Sequence, residues 1–402
     1  MSIKDFLRAE LKEKPLQSNT IYGAGQELNS DRDYDAIAKE GFEQNPLVNA
    51  IVTKYGEIFA GLPIVLERVG RRGEVVEIIE QHPVLDLLNR PNDYQGKFSF
   101  LKESFMYFFI AGSGFIKKGR PSDNAKPVQL WNIVPNAIFP VSANLYGEIA
   151  HFKYNVNQER VRKEDVIYIK SFNALKAEDG FSAIKSAGIL IDTYNAMMRW
   201  NYSLSQNAGI PPMVVKSKSG KFTEEQKSRI EETLSHKVNG WNNAGKPLLQ
   251  DGEAEFQVLG IKPTEAQWLE SMQDIWRQIC VALGSSPELW GSEKGATFSN
   301  RAEAMKDLYL NTILPKAQVF YDALNYQLLP DFERSGLRLV VDKAQIDALS
   351  ESQDSLYKRV VDVFDKGIIG QGEARTELGF PVDVPSGDMV YLPSNKVPLS
   401  EE

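Results

Sequence analysis

The stretch Gly240-Trp241-Asn242-Asn243-Ala244-Gly245-Lys246 has the glycine and lysine spacing of a phosphate-binding loop. In such a loop backbone N–H groups cradle the phosphates and the lysine neutralises them. Pro247 stands where a serine or threonine must ligate Mg²⁺. The context is also inverted, because this stretch follows a predicted helix and precedes a predicted strand. Nucleotide binding is disfavoured. Gly112-Ser113-Gly114-Phe115 lacks the third glycine of a dinucleotide fingerprint and reads as a turn.

Metal and nucleophile chemistry is poorly supplied. The three histidines, His82, His151 and His236, are scattered, with no His or Cys pair at ligand spacing. There is no G-x-S-x-G elbow, and so few histidines leave a Ser-His-Asp triad without a base. Carboxylates are plentiful, but nothing singles out a catalytic pair. The single cysteine, Cys280, lies on the apolar stripe of a predicted helix and reads as a small core residue. No cofactor is expected.

Those side chains hang on an unusual scaffold. Ile184, Ala187, Ile191, Tyr194, Met198 and Tyr202 recur at helical spacing through Ala208, and Leu269, Met272, Trp276, Ile279 and Leu283 repeat the pattern. The spacing predicts helices of about 40 Å and about 30 Å. Between them, Ile210-Pro211-Pro212 stops the first helix, Met213–Lys216 reads as a strand, and Thr223-Glu224-Glu225-Gln226 as a capping box. Leu248–Gln250 and Glu255–Leu259 read as a hairpin across Asp251-Gly252. Two long helices with a small knob at the far end make a stalk, which compact enzymes rarely need.

The rest is α+β. Residues 1 to about 40 are polar and read as an arm. Asn45 caps a helix, Leu62–Val69 and Glu74–Ile79 form a hairpin around Gly70–Gly73, and His82-Pro83 opens a short helix. Phe98–Ala111 is an aromatic helix, followed by strands near 114–118, 128–134, 138–141, 148–156 and 166–170. Ser285–Ser299 is a loop without periodicity. A third helix from Asn300 carries Pro315 in its middle, Gly336–Val341 is a strand, and helices over Ile346–Phe364 and Gln371–Leu378 precede an extended tail.

Composition narrows the class. Hydrophobic residues at 42% and charged residues at 25% are ordinary for a globular protein. The longest apolar run, around Phe105–Ile110, is far short of a membrane span, and MSIKDFLRAELKEKP has charges where a signal peptide needs an apolar core. A soluble protein with no membrane partner is expected. The formal net charge of −8 disfavours tight nucleic-acid binding.

A string of segments carries a resemblance: NPLVNAIVTKYGEIFAGLPIVL, HPVLDLLNRPN, the helix ending in AGSGF, DVIYIKS, AGIPPMVVKS, NGWNNAGKPLL, WLESMQDIWRQICVALGSSPELWG, FSNRAEAMKDLYLNTILPKAQVFYDALNYQLLP and GIIGQGEARTELGFPV. In this order, over residues 45 to 392, the chain resembles a tailed-bacteriophage portal protein, the head-to-tail connector of the long-tailed phage and prophage type. The turn GIIGQGE departs from that family's GIITPNE-like sequence, and the C-terminal part is short.

The resemblance implies a portal-like α+β subunit: residues 1–44 a flexible arm, 45–181 an α/β wing, and 182–208 and 264–284 a two-helix stem. Residues 209–263 would be a small α/β clip, 285–299 a tunnel loop, 300–345 the rest of the wing with its kinked helix, and 346–402 a helical crown and tail. It implies a homo-oligomeric ring, typically of about twelve subunits. Through it, double-stranded DNA passes transiently and without sequence specificity. The implied partners are the terminase large subunit, head–tail connector or adaptor proteins, and the major capsid and scaffolding proteins. The implied place is the portal vertex of a virion assembled in the host cytoplasm. Tunnel-loop candidates are Glu288, Trp290, Glu293, Lys294 and Phe298, with Trp290 and Phe298 anchoring the loop ends and Glu293 or Lys294 facing the lumen. Packing of both aromatics within one subunit is the alternative. Clip candidates for terminase or connector contact are Lys218, Lys221, Glu224, Glu225, Trp241 and Asn242, and Pro315 marks the helix kink. A ring of such subunits would carry roughly 96 formal negative charges and repel phosphates from its wall. A self-assembling adaptor of a domesticated prophage or gene-transfer particle is the alternative, and a nucleotide-binding or hydrolytic enzyme a distant one.

Overall fold

The computed structural model of the chain describes residues 34–70, 72–123, 125–144, 146–206, 213–217, 222–233, 254–258, 265–291, 298–333, 336–349 and 353–380. The first element is helix α1, Tyr34–Ala36 continuing as π-turns over Ile37–Glu43. The sequence pattern assigns these residues to a flexible arm ending at residue 44, and the structure corrects that boundary. Their order comes from far along the chain. The Asn195 amide donates to the Glu40 carbonyl at 2.9 Å, Arg199 donates to Gln44, Ile37 is buried, and Gly41 lies where any Cβ would meet Ile184 at 2.8 Å.

Asn45 then starts α2, Pro46–Ala60. Its Oδ1 accepts from the Val48 N–H at 3.0 Å and Pro46 fills the first turn. Val48, Ile51, Val52, Tyr55 and Phe59 recur at helical spacing and are fully buried. Strands β1 (Ile64–Val69) and β2 (Val75–Ile79) follow as an antiparallel hairpin. Helix α3 (Pro83–Asn89) is opened by His82, whose Nδ1 accepts from the Val84 N–H. Helix α4 (Lys97–Ala111) packs along α2, with Phe59 and Phe105 stacked at 4.4 Å. It stops at Gly112, where φ is +76° and a Cβ would lie 2.3 Å from the Phe181 carbonyl carbon.

Six strands then make two small antiparallel sheets. β3 (Ser113–Gly119) is flanked by β4 (Gln129–Ile133) and β8 (Val166–Lys170), and β6 (Ile149–Tyr154) by β5 (Ile138–Ser142) and β7 (Arg160–Arg162). The three-residue β7 is too short to show a period, and the sequence reading lacks it. The turn α5 (Ala183–Ser186) is capped by Ser182, and Ala187 adopts a non-helical ψ of 6° before α6 (Gly188–Gln206). The long helix expected from residue 182 is therefore two pieces, and its 19-residue part is about 28 Å long.

β9 (Met213–Ser217), α7 (Glu224–Thr233) and β10 (Ala254–Val258) follow, with β10 antiparallel to β9. The expected hairpin partner at 248–250 lies outside the described residues. α8 (Glu265–Ala282) returns toward the first lobe and packs against α6. α9 (Phe298–Asp307) passes through a π-helical stretch, Leu308–Ile313, into α10 (Leu314–Gln327). Pro315 thus falls in the first turn of α10. The Leu314 N–H reaches back five residues to the Tyr309 carbonyl, so the wide turn ends where proline supplies no donor. β11 (Leu337–Val341) pairs with β1 from Ile64↔Val341 to Arg68↔Leu337, giving the order β11-β1-β2. The helix expected over 346–364 is shorter, since 3₁₀ turns occupy Lys343–Gln345 and Asp347–Leu349 before α11 (Gln353–Asp365). The Asp342 side chain accepts from the Ala344 N–H and from Gln345, a local bond that competes with helix. Helix α12 (Gln371–Glu377) follows.

The end of α10 ties the lobe together. The Gln327 side chain accepts from the Tyr168 N–H at 2.8 Å and donates to the Tyr168 carbonyl at 2.9 Å, closing the open edge of β8. Asn325 does the same for Leu339 of β11, at 2.8 and 3.1 Å. Replacing Gln327 by Leu should remove two bonds and strand the Tyr168 N–H, costing about 2–3 kcal/mol. A melting temperature within one degree or so of the parent would show that this clamp contributes nothing.

Candidate assembly and channel surface

The stalk is held on its inner side by polar and aromatic contacts. Trp200 of α6 and Trp268 of α8 lie 4.6 Å apart between ring centroids, and Trp268 Nε1 donates to Asn201 Oδ1 at 3.1 Å. Deeper toward the lobe, Ile191, Ile279, Cys280 and Leu283 join the main core. Burial pushes the Cys280 thiol up to about 12, so it is unreactive. Other positions on the two helices leave apolar side chains exposed. Tyr202 is 68% exposed, Leu269 56% and Val281 67%, with Ile189 and Met198 also exposed. These helices present apolar side chains that no other described residue covers.

The segment leaving α8 is tightly fixed. Gly284 takes φ +79°, its N–H donates to the Val281 carbonyl and the Ser285 N–H to the Cys280 carbonyl. This doubled bond is a Schellman end, which a glycine after an apolar helical stripe signals in sequence. The Tyr55 hydroxyl donates to the Leu283 carbonyl at 3.3 Å, and Thr312, from the π-helical stretch, donates to the Gly284 carbonyl at 2.6 Å. Tyr55 and Thr312 carry no signal for this role in sequence, because the contact joins three distant segments. Residues Pro287–Trp290 form a 3₁₀ turn. Trp290 Nε1 donates to Ser285 Oγ at 2.7 Å and its ring packs on the main core, so in the described chain Trp290 packs within its own subunit. Glu288 accepts from the Ser286 hydroxyl. Glu293 and Lys294 lie outside the described residues. Phe298 is the first residue of α9, and its side chain is likewise outside them.

At the far end of the stalk, Thr223 and Gln226 form a capping box: the Thr223 N–H donates to Gln226 Oε1 at 2.9 Å, and the Gln226 N–H to Thr223 Oγ1 at 3.3 Å. Glu224 and Glu225 are exposed in the first turn of α7, and Lys227 pairs with Glu224. The other candidates there, Lys218, Lys221, Trp241 and Asn242, lie outside the described residues, as does the phosphate-loop lookalike at 240–246. Among the described residues, no group of three or more His, Cys, Asp or Glu side chains is placed to hold a metal ion, and no helix is long and apolar enough to cross a membrane.

Comparison with known proteins follows the same outline. An uncharacterized protein of Rickettsia felis (strain ATCC VR-1525 / URRWXCal2) is 26% identical over 357 residues, 86% of this chain and 89% of its own. The portal protein of Escherichia phage T5 is 21% identical over 271 residues, 65% of this chain and 64% of its own. A solved chain from the neck of an empty gene transfer agent particle, computed with C6 symmetry, superposes with a TM-score of 0.64 at 28% identity. It covers 90% of this chain and 97% of that one. A neck of the native particle computed with C12 symmetry gives 0.62 at 27%, covering 89% and 96%. An HK97-family phage portal protein from Corynebacterium diphtheriae shares the fold, with a TM-score of 0.56 at 12% identity over 77% of this chain and 95% of that one. The model of the phage portal protein family matches residues 46–379, most of the chain, and the chain belongs to that family.

Proposed function

We propose that this chain is the subunit of a portal ring, set at one vertex of a particle, through which double-stranded DNA passes and to which a neck or tail attaches. The observation that carries the reading is the stalk. Two packed helices leave Ile189, Met198, Tyr202, Leu269 and Val281 exposed, and copies of the same chain arranged about an axis would cover apolar side chains of this kind. The 12-fold neck of the related gene transfer agent particle supports that arrangement. On this reading residues 45–181 and 300–345 form the wing, 182–208 and 264–284 the stem, 209–263 the clip, 285–299 the tunnel loop and 346–402 the crown. The terminase, connector, capsid and scaffold contacts belong to the same proposal, as does the absence of catalysis. A net charge of −8 per subunit suits a conduit, because a wall that bound phosphates tightly would stall its cargo.

One observation favours a particle of the gene-transfer kind over an infectious phage. The solved neck chains are 27 to 28% identical over about nine-tenths of this chain, whereas the T5 portal protein is 21% identical over 65% of it. Sequencing the DNA inside particles that carry this protein should return fragments drawn from across the host genome. A single repeated phage genome would overturn that reading and leave the portal assignment intact.

Light scattering after size exclusion, with negative-stain images of the same peak, should show rings of about a dozen subunits. Leu269→Glu places a charge at an exposed apolar position of α8, and it should give a folded species that no longer closes into rings. Rings of unchanged abundance from that variant would remove the stalk from the interface. Pro315→Ala should let the α9–α10 passage stiffen into regular helix and lower packaging yield, and a normal yield would show that the wide turn has no part in translocation.

A further inference from the structure

The stalk helix α6 leaves the lobe through a break. On the lobe side α5 is fixed, because the Ser182 hydroxyl donates to the Ile110 carbonyl of α4 and Ile184 and Ala187 are buried. Ala187 then takes φ −88° and ψ 6°, and α6 begins at Gly188. A break between two helical pieces, occupied by two small residues, is a place where a helix can pivot. Helix α1 spans that break. Before it, Gly41 sits so close to α5 that a Cβ would lie 2.8 Å from Ile184 Cγ2. Beyond it, Asn195 is 8% exposed, and its one amide makes two bonds into the lobe. Nδ2 donates to the Glu40 carbonyl at 2.9 Å, and Oδ1 accepts from Asn45 Nδ2 at 2.9 Å. Glu40 lies in the last turn of α1, where carbonyls lack donors within the helix, and Asn195 supplies one. Arg199, one turn along the same face of α6, donates to Gln44 Oε1.

We infer that α1 is a splint that sets the angle at which α6 leaves the lobe, with Asn195 as its latch and Ala187–Gly188 as the pivot. The other stalk helix is rooted differently. Tyr55 and Thr312 bond the Leu283 and Gly284 carbonyls at the end of α8 directly. With α8 held there, the angle of α6 decides how Trp200 meets Trp268 across the stalk. Closing the latch satisfies two side-chain amides in a buried place, since Asn45 is 0% exposed and also caps α2 through its Oδ1. Opening it gives those amides to water and lets α6 swing as a local event, short of unfolding the lobe. In the ring proposed above, and on that reading alone, the same angle sets how far each stem stands from the axis.

The test uses the full chain, in which Cys280 is buried and escapes labelling. Spin labels go on Lys54→Cys of α2 and Ser203→Cys of α6, both exposed positions. Diluting doubly labelled subunits into an excess of unlabelled ones keeps each measured distance within one subunit. The parent should give one narrow distance distribution. Asn195→Leu removes both bonds of the latch and should roughly double that width, with hydrogen exchange over 188–199 about tenfold faster and exchange in α4 and α10 unchanged. Gly41→Ala pushes α1 off Ile184 and should widen the distribution in the same way, so it serves where Asn195→Leu does not fold. Gln327→Leu loosens the junction with β8 instead and should leave the distribution narrow. Parent-like widths in both Asn195→Leu and Gly41→Ala, equal broadening in Gln327→Leu, or exchange that rises evenly through the lobe would each overturn the latch. The readouts lie within one subunit, so failure of the latch and failure of the ring are told apart.

Discussion

Two side-chain amides near the end of one helix do the work of two absent strands. Gln327 bonds both backbone groups of Tyr168 on the edge of β8, and Asn325 both groups of Leu339 on the edge of β11. An open sheet edge invites pairing with another chain, and a side-chain amide is the smallest group that can satisfy a donor and an acceptor together. With those edges closed by α10, the sheets at either end of the lobe are held in one orientation. The residues between 182 and 300 are then free to leave the lobe as a stalk without opening it. Both roots of that excursion are tied to the same pair of helices: the Ser182 hydroxyl donates to the Ile110 carbonyl of α4, and the Tyr55 hydroxyl of α2 donates to the Leu283 carbonyl.

A charge network fixes the same junction. The Lys118 side chain, 3% exposed, donates to the Gln327 carbonyl and to Asp331 at 2.9 Å, while Arg120 bonds Asp331 at 2.6 Å and Asp165 at 3.2 Å. Burial pushes the Lys118 ammonium below the usual lysine range, against the pull of Asp331. Burial also works to raise the Asp165 carboxyl, but the bond from Arg162 and the charges of Lys117, Arg162 and Arg120 outweigh it and hold Asp165 low. Buried ion pairs often add little net stability over an apolar replacement, yet losing one partner costs about 3–5 kcal/mol. Their value here is in specifying how the end of α10 and the turn after it lie against β3, because any other placement would leave Lys118 buried without the Asp331 counter-charge.

The parts of this architecture that were legible in sequence are those governed by neighbours in the chain. Asn45 before Pro46, His82 before Pro83, Thr223 with Gln226, and Gly112 after the aromatic helix each solve a local hydrogen-bonding or steric problem, and each marks the element end it predicts. The parts that were not legible depend on distant contacts. Helix α1 reads as polar arm because its stabilising donors, Asn195 and Arg199, lie about 155 residues away. The break at Ala187 is invisible to a stripe of apolar residues that continues through it. The wide turn over Leu308–Ile313 likewise follows no periodicity, although Pro315 shows where the regular bonding must change. Trp290 was singled out by residue type as a tunnel-loop candidate, but its partner Ser285 and the Tyr55 and Thr312 bonds beneath it emerge only when three segments meet.

The exposed apolar side chains of the stalk set a further constraint. Burying a large apolar side chain contributes about 1.5–3 kcal/mol, and bringing two proteins together costs an estimated 4–15 kcal/mol in lost translational and rotational freedom. A single stem-to-stem contact built on Tyr202, Leu269 and Val281 with their exposed neighbours would therefore sit close to balance. In a closed ring every subunit makes that contact twice, and the last subunit gains a second interface without a second loss of freedom. In the proposed ring, a surface too weak to hold a dimer would thereby be strong enough to close it. In the proposed ring, that asymmetry would let a subunit stay monomeric while it is dilute, with closure depending on concentration and on whatever surface first gathers the copies together.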